Sequence, residues 1–405
     1  QPSARMNEAD LAITTLARVA MHARRLAQWL GMGRAAGVLL AVPLAIVACR
    51  QPSGQLPDVK ASIDQTSVSG ISSGAYMAGQ FQLAHSRTVV GAAIIAGGPF
   101  GCAESIYADL MPGPGTTFLN LSKAINGCML NALTLWGIPN PRLLAERAQQ
   151  LAREGRIDPI DGVARDRVYL FAGREDHTVV PAIVAAAADF YRRIGVGDAQ
   201  IQHVTTVAAG HAFVTESKGG ACGRSAAPYV EACRYDQAGE LLRHIYGPLK
   251  PKSATARGTY QVFDQREFTR NLGAHGLEDT GVAYIPEACR RSAGCRVHIA
   301  FHGCAQNRTA VGDAFITDSG FAAWADENSL IVLYPQAAAA AMNPQGCWDW
   351  WGYTGRDFLT RKAPQIVAVQ RMLERLAGRA AVGSIGGVMR RTATQSPMGM
   401  ASAGE

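Results

Sequence analysis

Apolar and polar positions along this chain alternate in blocks that predict strands interleaved with helices. Continuous apolar runs bounded by glycine or turn residues are typical of strands buried in a sheet, whereas apolar residues at helical spacing indicate helices packed on it. In the first half, strand-like runs lie at 67–69, 91–98, 167–173 and 202–207, with helix-like segments at 75–84, 141–154 and 181–194. This order predicts a parallel sheet covered by helices on both faces.

The second half continues the same pattern. Strand-like runs lie at 259–263, 281–285, 296–301 and 329–334, followed or separated by an amphipathic stretch at 309–327 and a last helix at 364–376. From residue 378 onward the chain is rich in Gly, Ala, Ser and Met and has no periodicity, so we expect 378–405 to be a disordered tail. One folded domain over 50–377 is therefore predicted.

The N-terminal extension, residues 1–49, has the pattern of an export signal. Arginines 24, 25 and 34 precede an uncharged, mostly apolar run at 35–48, which is too short to span a bilayer comfortably. The run ends Ile-Val-Ala-Cys and resembles a bacterial lipobox, in which Cys49 would be lipidated and would anchor the chain to a membrane. Ordinary cleavage near Ala48, with full release, is the alternative. We favour the lipoprotein.

The nine cysteines fit export to an oxidising compartment. Eight remain when Cys49 is set aside, and sequence alone does not fix their pairing. Neighbours along the chain suggest the pairs Cys102–Cys128, Cys222–Cys233, Cys289–Cys295 and Cys304–Cys347. A metal site is disfavoured, because no Cys or His set has the short paired spacing of a zinc site.

Charge and composition limit the classes of partner that this protein is expected to bind. The 405 residues are 48% apolar and 18% charged, which is an ordinary globular composition. The formal net charge of +7 includes five arginines and two acidic residues before Cys49, which leaves +4 for the rest. These charges are dispersed, so we expect no nucleic-acid partner. We also expect a monomer that uses no cofactor.

The most informative motif is Gly-Ile-Ser-Ser-Gly at 70–74, which reads as a G-x-S-x-G nucleophile elbow with Ser72 at its tip. A strand-like run precedes it and a helix-like run follows it, which is the context that this turn requires. A serine needs a base within hydrogen-bond reach and an acid that orients that base. The motif therefore predicts a nucleophilic serine, with an acid and a histidine to be found further along the chain.

The acid and the base have candidates in the order that α/β-hydrolases use. Asp176 comes just after a strand-like run and is the first choice for the acid, with Glu175 and His177 as rivals. His211, in Ala-Ala-Gly-His-Ala-Phe, also follows a strand-like run and has small neighbours that leave room for an exposed imidazole. His203 lies inside a strand-like run and is interpreted as structural.

An acyl-transfer enzyme also needs donors for the developing oxyanion. One is the backbone N–H of Ser73. The second usually comes from a loop after an upstream strand, but too few residues lie between Cys49 and Ser72 for that strand. Phe-His-Gly-Cys at 301–304 supplies such a loop downstream, with the N–H of Cys304 as the donor. This order predicts a circularly permuted α/β-hydrolase, in which the strand-like runs at 259, 281, 296 and 329 are the first four of the usual sheet.

A dense aromatic cluster lies at 347–353. It contains Trp348, Trp350 and Trp351, three of the six tryptophans of the chain. A disulfide between Cys304 and Cys347 would tie it to the oxyanion loop, so we expect at least one tryptophan to line a substrate groove. Apolar aromatic walls suit an aliphatic polyester.

These residues resemble the single-domain, circularly permuted poly(3-hydroxybutyrate) depolymerases, a family of secreted esterases. The resemblance spans about 59–376 and is strongest at 67–77, 96–100, 222–246, 302–306, 333–336 and 343–353, the last block being NPQGCWDWWGY. It implies that Ser72, Asp176 and His211 form the triad and that the tryptophan block binds substrate. Ala75 stands where glycine is expected, which should not disable the turn.

The sequence thus predicts a serine esterase acting on poly(3-hydroxybutyrate)-like polyesters or their oligomers. Two other hypotheses stay open. A carbohydrate esterase acting on feruloyl or acetyl groups would share the machinery, and a surface binding protein on an inactive hydrolase scaffold would lack a reactive serine.

Overall fold

The computed structural model describes residues 54–105, 112–113, 115–129 and 137–379. The predicted export signal with Cys49 and the predicted tail beyond residue 379 lie outside these residues. The strands are β1 Ser62–Ile71, β2 Val89–Ile95, β3 Arg167–Phe171, β4 Ile201–Val204, β5 Phe213–Thr215, β6 Gly220–Ala221, β7 Val230–Ala232, β8 Thr259–Asp264, β9 Thr280–Ile285, β10 Arg296–Phe301 and β11 Leu330–Tyr334.

The helices are α1 Ser73–Ala84, α2 Thr117–Gly127, α3 Pro141–Arg153, α4 Pro181–Arg193, α5 Gln237–Tyr246, α6 Arg266–Thr269, α7 Glu287–Arg291, α8 Arg308–Val311, α9 Ala314–Asp318, α10 Phe321–Glu327 and α11 Pro364–Leu376. Three of the predicted helices, α3, α4 and α11, begin at a proline. Proline suits the first helical position, because its missing N–H has no partner there in any case.

Within the described chain, eight strands form one sheet in the order β4-β3-β2-β1-β10-β11-β9-β8. All neighbours are parallel except at β9, which is antiparallel to both β11 and β8. Read from the β8 edge, the last four strands of the chain occupy the places that the first four occupy in an ordinary α/β-hydrolase. The predicted circular permutation of a mostly parallel sheet is confirmed.

The sheet is buried on both faces, as parallel strands require. Along β10, Val297, Ile299 and Phe301 face one apolar cluster, and Ala300 faces the other. Helices α1, α3, α4 and α11 contribute to the first cluster, and α5 and α10 to the second. The central strands β1 and β10 therefore lie deep in the molecule, and their ends make a rigid base for the loops that follow them.

The two ends of the folded domain meet. The backbone N–H groups of Val59 and Ala61 both donate to the carbonyl of Leu376, at the end of α11, at 3.1 and 3.0 Å. The extended segment before β1 and the last helix are thus hydrogen-bonded to each other directly.

Two details differ from the sequence prediction. The stretch 309–327 is three short helices, α8 to α10, because Gly312 and Gly320 adopt positive φ angles of 64° and 86° and interrupt it. A small second sheet, in the order β5-β7-β6, was not predicted, since its strands are two or three residues long.

The four suggested disulfides, Cys102–Cys128, Cys222–Cys233, Cys289–Cys295 and Cys304–Cys347, are all present. Such bonds are typical of proteins from oxidising compartments. No helix within the described ranges combines the length and the apolar character needed to cross a membrane.

A buried carboxyl group just before β3, that of Asp166, makes the free energy of unfolding depend on pH. Asp166 precedes β3, is only 3% exposed and accepts a hydrogen bond from Gln82 Nε2 at 2.7 Å. Burial raises the pKa of Asp166 to about 7, well above the ordinary value of an aspartate. A pKa raised by folding means that the folded state favours the protonated form, so stability is lost as pH rises from about 4 to about 7.

We expect Asp166→Asn to remove this fall in stability between about pH 4 and about pH 7. The free energy of unfolding of the wild type should fall by on the order of a few kcal/mol across that window, whereas the variant should lack this component. Urea unfolding at several pH values measures it. Asp161→Asn is the control, since this exposed carboxyl lies in the short 3₁₀ helix Ile160–Arg165 that directly precedes Asp166. An unchanged pH profile in the Asp166 variant would contradict the assignment.

Candidate active site

Ser72 occupies the sharp turn between β1 and α1. Its backbone has φ 58° and ψ −123°, a strained conformation for a residue with a side chain. The turn is held by the Ser72 N–H, which donates to Ile95 O on β2 at 3.0 Å, and by the Ser72 carbonyl, which accepts from Ala75 N–H at 2.9 Å. Strain maintained in this way is typical of nucleophile elbows, which lift the serine hydroxyl out of the sheet.

Both glycines of the motif are required by close packing. A Cβ on Gly70 would overlap the backbone carbonyl of Gly74, and one on Gly74 would overlap the backbone carbonyls of Phe301 and His302. The second overlap lies across the β1–β10 pair, where Gly70 is in register with Phe301. The glycines therefore let the elbow lie directly against the loop that follows β10.

Asp176 and His211 lie side by side on the loops that follow β3 and β4. His211 Nδ1 is 2.8 Å from Asp176 Oδ2. The other carboxylate oxygen, Oδ1, accepts from the N–H groups of Thr178 and Val179 at 2.8 and 2.9 Å. A carboxylate held at both oxygens orients the imidazole with its proton on Nδ1, which leaves Nε2 free to accept a proton.

The structure separates Asp176 from its rivals. Asp176 is 2% exposed, whereas Glu175 and His177 are exposed on the same loop. Ser72 and His211 line one common cavity of about 510 Å³. The three residues predicted to form a triad are thus brought to one place, and Asp176 is the acid that contacts the histidine.

A second carboxylate anchors the His211 loop. Glu231 on β7 is 1% exposed and accepts backbone N–H bonds from Gly210 at 3.2 Å, Gly223 at 2.7 Å and Ser225 at 2.7 Å. Ser225 Oγ in turn accepts from the N–H of His211 at 2.7 Å. Sequence reasoning missed both residues, since their partners are backbone amides of irregular loops, and such contacts leave no pattern in the sequence. Their place inside the resembling block 222–246 was the only available signal.

The loop after β10 lies next to the elbow. The Gly303 N–H donates to Gln306 Oε1 at 2.7 Å, and the Ala305 N–H donates to Gln345 O at 2.6 Å. Cys304 lies between them, lines the cavity and is bonded to Cys347. Ser73 is the first residue of α1, where an N–H has no acceptor within the helix. Both predicted oxyanion donors are therefore at the same end of the sheet as Ser72.

The cavity wall is mostly apolar. Its apolar residues come from α2 and the turn after it, from the loops at 225–229 and 342–347, and from the tryptophan block. They include Leu121, Ala124, Ile125, Met129, Tyr229, Met342 and Pro344. Ile125 and Met342 are 42% and 56% exposed, so apolar surface continues out to solvent. A groove of this kind suits an uncharged, aliphatic ligand.

The three tryptophans have different places. Trp350 and Trp351 line the cavity, and Trp350 stacks on Tyr76 with ring centroids 4.1 Å apart. Trp348 is fully buried, does not line the cavity and packs edge-on against Phe301 at 4.9 Å. The expected substrate contact of Trp348 is corrected accordingly, because its indole is buried against Phe301 and His302, away from the cavity.

Among the described residues, Cys222, Glu231 and Cys233 form a group with metal-binding atoms close together. The two sulfurs are joined in a disulfide, and the carboxylate accepts three backbone N–H bonds. This group thus offers no thiolate to a metal and acts as a structural anchor.

Comparison with known proteins places this site in a family. No protein-family model matches the chain. The chain is 36% identical over 349 residues to a poly(3-hydroxybutyrate) depolymerase from Delftia acidovorans, which covers 85% of this chain and 66% of that protein. It is 32% identical over 352 residues to a polyhydroxybutyrate depolymerase from Talaromyces funiculosus, covering 82% of this chain and 94% of that one. The chain belongs to the poly(3-hydroxybutyrate) depolymerase family.

Solved structures agree with this placement. A crystal structure of a PHB depolymerase from Penicillium funiculosum matches with a TM-score of 0.70 and 30% identity, over 81% of this chain and 100% of that one. A serine-to-alanine variant of a PHB depolymerase complexed with an R3HB trimer matches equally well. The resemblance drawn from the motifs is therefore confirmed at the level of family and fold. This depolymerase-family chain spans only 66% of the Delftia protein's length.

The anchoring of His211 can be tested with Glu231→Gln. The amide retains one oxygen, but its NH₂ group faces a backbone donor, so the His211 loop should shift and kcat should fall roughly tenfold or more. Turnover of a soluble nitrophenyl ester measures kcat, and the melting temperature reports folding. Glu240→Gln, at a half-exposed glutamate of α5, is the matched control. An unchanged kcat in the folded Glu231 variant would contradict the anchoring role.

Proposed function

We propose that this depolymerase-family protein is a serine esterase that hydrolyses the ester bonds of poly(3-hydroxybutyrate)-like polyesters or their oligomers. The observation that carries the proposal is the common cavity of Ser72 and His211, with Asp176 bonded to the far side of the imidazole. The R3HB trimer held by the related serine-to-alanine variant supports the substrate class.

The proposed reaction begins at Ser72. Its Oγ attacks the ester carbonyl while His211 Nε2 takes the hydroxyl proton, and Asp176 stabilises the imidazolium that forms. The N–H groups of Ser73 and Cys304 donate to the oxyanion of the tetrahedral intermediate. The acyl C–O bond then breaks, His211 protonates the leaving alkoxide to give a free hydroxyl, and an acyl-enzyme on Ser72 remains.

Water completes the cycle. His211 deprotonates a water molecule that attacks the acyl-enzyme, and the proton returns to Ser72 when the carboxylic acid leaves. The chain's own groups supply each of these steps. An uncharged hydroxyalkanoate chain would lie along the apolar wall, with Trp350 and Trp351 as contacts.

The cellular location is a further part of the proposal. The export signal pattern before Cys49 and the four disulfides support export. We favour attachment to a membrane through lipid on Cys49 over free release, because of the lipobox-like ending at 46–49.

The decisive experiment is turbidity clearing of a poly(3-hydroxybutyrate) suspension by the purified chain and by Ser72→Ala. We expect clearing with release of soluble hydroxybutyrate products, and a loss of at least about 10³-fold in the variant, since the nucleophile is gone. The variant should keep the wild-type melting temperature, which serves as the folding control.

Other outcomes would redirect the assignment. Turnover of feruloyl or acetyl esters without clearing would favour the carbohydrate esterase. Failure of Ser72 to react with a fluorophosphonate, together with no turnover, would favour a binding protein on an inactive scaffold.

A further inference from the structure

His302 is a fully buried histidine at the end of β10 that has no part in the proton transfers above. Its two ring nitrogens contact two different backbone groups. Nδ1 lies 2.7 Å from the carbonyl oxygen of Gly303, and Nε2 lies 3.0 Å from the backbone nitrogen of Ala337, in the loop after β11. The first of these contacts is made to the loop that carries the Cys304 N–H.

These contacts fix the tautomer. A backbone N–H can only donate, so Nε2 must be the acceptor for Ala337, and the ring proton must be on Nδ1. The Nδ1–H group therefore donates to the Gly303 carbonyl. Burial lowers the pKa of His302 to about 4, so the ring is neutral at physiological pH and the Nε2 lone pair remains available.

The Gly303 carbonyl belongs to the same peptide unit as the Cys304 N–H. In a trans peptide these two groups lie in one plane and point in opposite directions. Whatever holds the carbonyl on one side therefore aims the N–H to the other side. Resting on the proposed function, we propose that His302 is a positioning residue that fixes the Gly303–Cys304 peptide so that the Cys304 N–H points at the oxyanion.

The neighbouring contacts explain why this peptide needs its own anchor. Gln306 holds the Gly303 N–H, and Gln345 holds the Ala305 N–H, so each fixes a flanking peptide unit. The Cys304–Cys347 disulfide restrains the side chain of Cys304. None of these contacts acts on the Gly303 carbonyl, and glycine itself offers little resistance to rotation of that peptide.

The imidazole is well placed to act as such an anchor. Trp348 packs beside it, with ring centroids 5.5 Å apart, and the Ala337 N–H holds the far edge of the ring. The ring thus has a fixed position from which Nδ1–H can act. A preorganised donor is worth more to a transition state than one that must reorient during the reaction.

Two amide variants of His302 distinguish the roles of its two ring nitrogens. Asparagine places an amide NH₂ near the position of Nδ1 and can donate to the Gly303 carbonyl, whereas glutamine reaches the position of Nε2 and loses that donor. We expect His302→Gln to lower kcat roughly ten- to a hundredfold with KM changed less than about twofold, because removing an oxyanion donor outright costs about 10² to 10³. His302→Asn should retain kcat within about threefold of the wild type.

A transition-state analogue gives the second readout. An alkyl boronic acid that adds to Ser72 should bind His302→Gln more weakly by the same factor as the fall in kcat, and His302→Asn nearly as well as the wild type. A purely structural role, through the Ala337 contact, would give the opposite order. A kcat for His302→Gln equal to or above that of His302→Asn would overturn the proposal.

His298→Gln is the matched control. His298 is also fully buried on β10 and contacts two hydroxyls, Ser67 Oγ at 2.6 Å and Ser69 Oγ at 2.8 Å, but it does not touch the oxyanion loop. It should lower the melting temperature while the folded fraction, titrated with a fluorophosphonate, keeps its kcat. A fall in kcat equal to that of His302→Gln would assign both effects to general destabilisation and overturn the proposal.

The wild-type chain provides a test that needs no variant. Long-range ¹H–¹⁵N correlation spectra of the imidazoles distinguish the two neutral tautomers, and His302 should show the Nδ1–H form; an Nε2–H form would overturn the proposal. The kinetic comparison uses a nitrophenyl ester, so it remains valid if poly(3-hydroxybutyrate) is not cleared. Lack of clearing would count against the proposed function alone.

Discussion

The parallel pairing of β1 with β10 is the contact on which the site depends. Residues paired there are far apart in the chain: the backbone of Ser67 is in register with that of His298, 231 positions later. Because the two strands run in the same direction, the loops that follow them leave the same edge of the sheet side by side. The proposed nucleophile and the proposed second oxyanion donor come from these two loops. The permutation changes their order along the chain but leaves this adjacency unchanged.

Around that pair, the loops are held by buried polar side chains that bond largely to backbone atoms. Asp176, Glu231, Gln306 and Asp349 are all nearly inaccessible and each accepts or donates to amides or carbonyls of its own or a neighbouring loop. An unsatisfied group of this kind would cost about 1–3 kcal/mol, so each contact strongly favours one loop conformation. Buried hydrogen bonds therefore contribute directly to the geometry of the candidate site.

Sequence reasoning reached the parts of this arrangement that have local signatures. The central strands are apolar runs, the elbow has its two glycines, and Asp176 and His211 each follow a strand. The disulfides were suggested by neighbouring cysteines, and all four pairs are present. The permutation was inferred because too few residues lie between Cys49 and Ser72 to form the usual oxyanion strand.

The remainder depends on contacts that leave no local pattern. The segment 343–353 is irregular, so neither a period of 2 nor one of 3.6 separated Trp348, inside the molecule, from Trp350 and Trp351 on the cavity wall. Glu231 acts on amides of two loops, and nothing in its own neighbourhood distinguishes it from a surface glutamate. Helix α2, which contributes Leu121 and Ala124 to the wall, has a mixed composition that did not predict it.

The contact between the two domain ends at Leu376 bears on where the chain could begin and end within the same fold. Since Val59 and Ala61 are hydrogen-bonded to Leu376, a linker of a few residues would join the ends without moving either of them. Opening the chain instead in the largely exposed segment 248–257, between α5 and β8, would restore the conventional strand order with every sheet contact retained. With such a linker the chain path would be circular. The same arrangement of strands and helices could then be built from a chain that begins at 59 or from one that begins in 248–257.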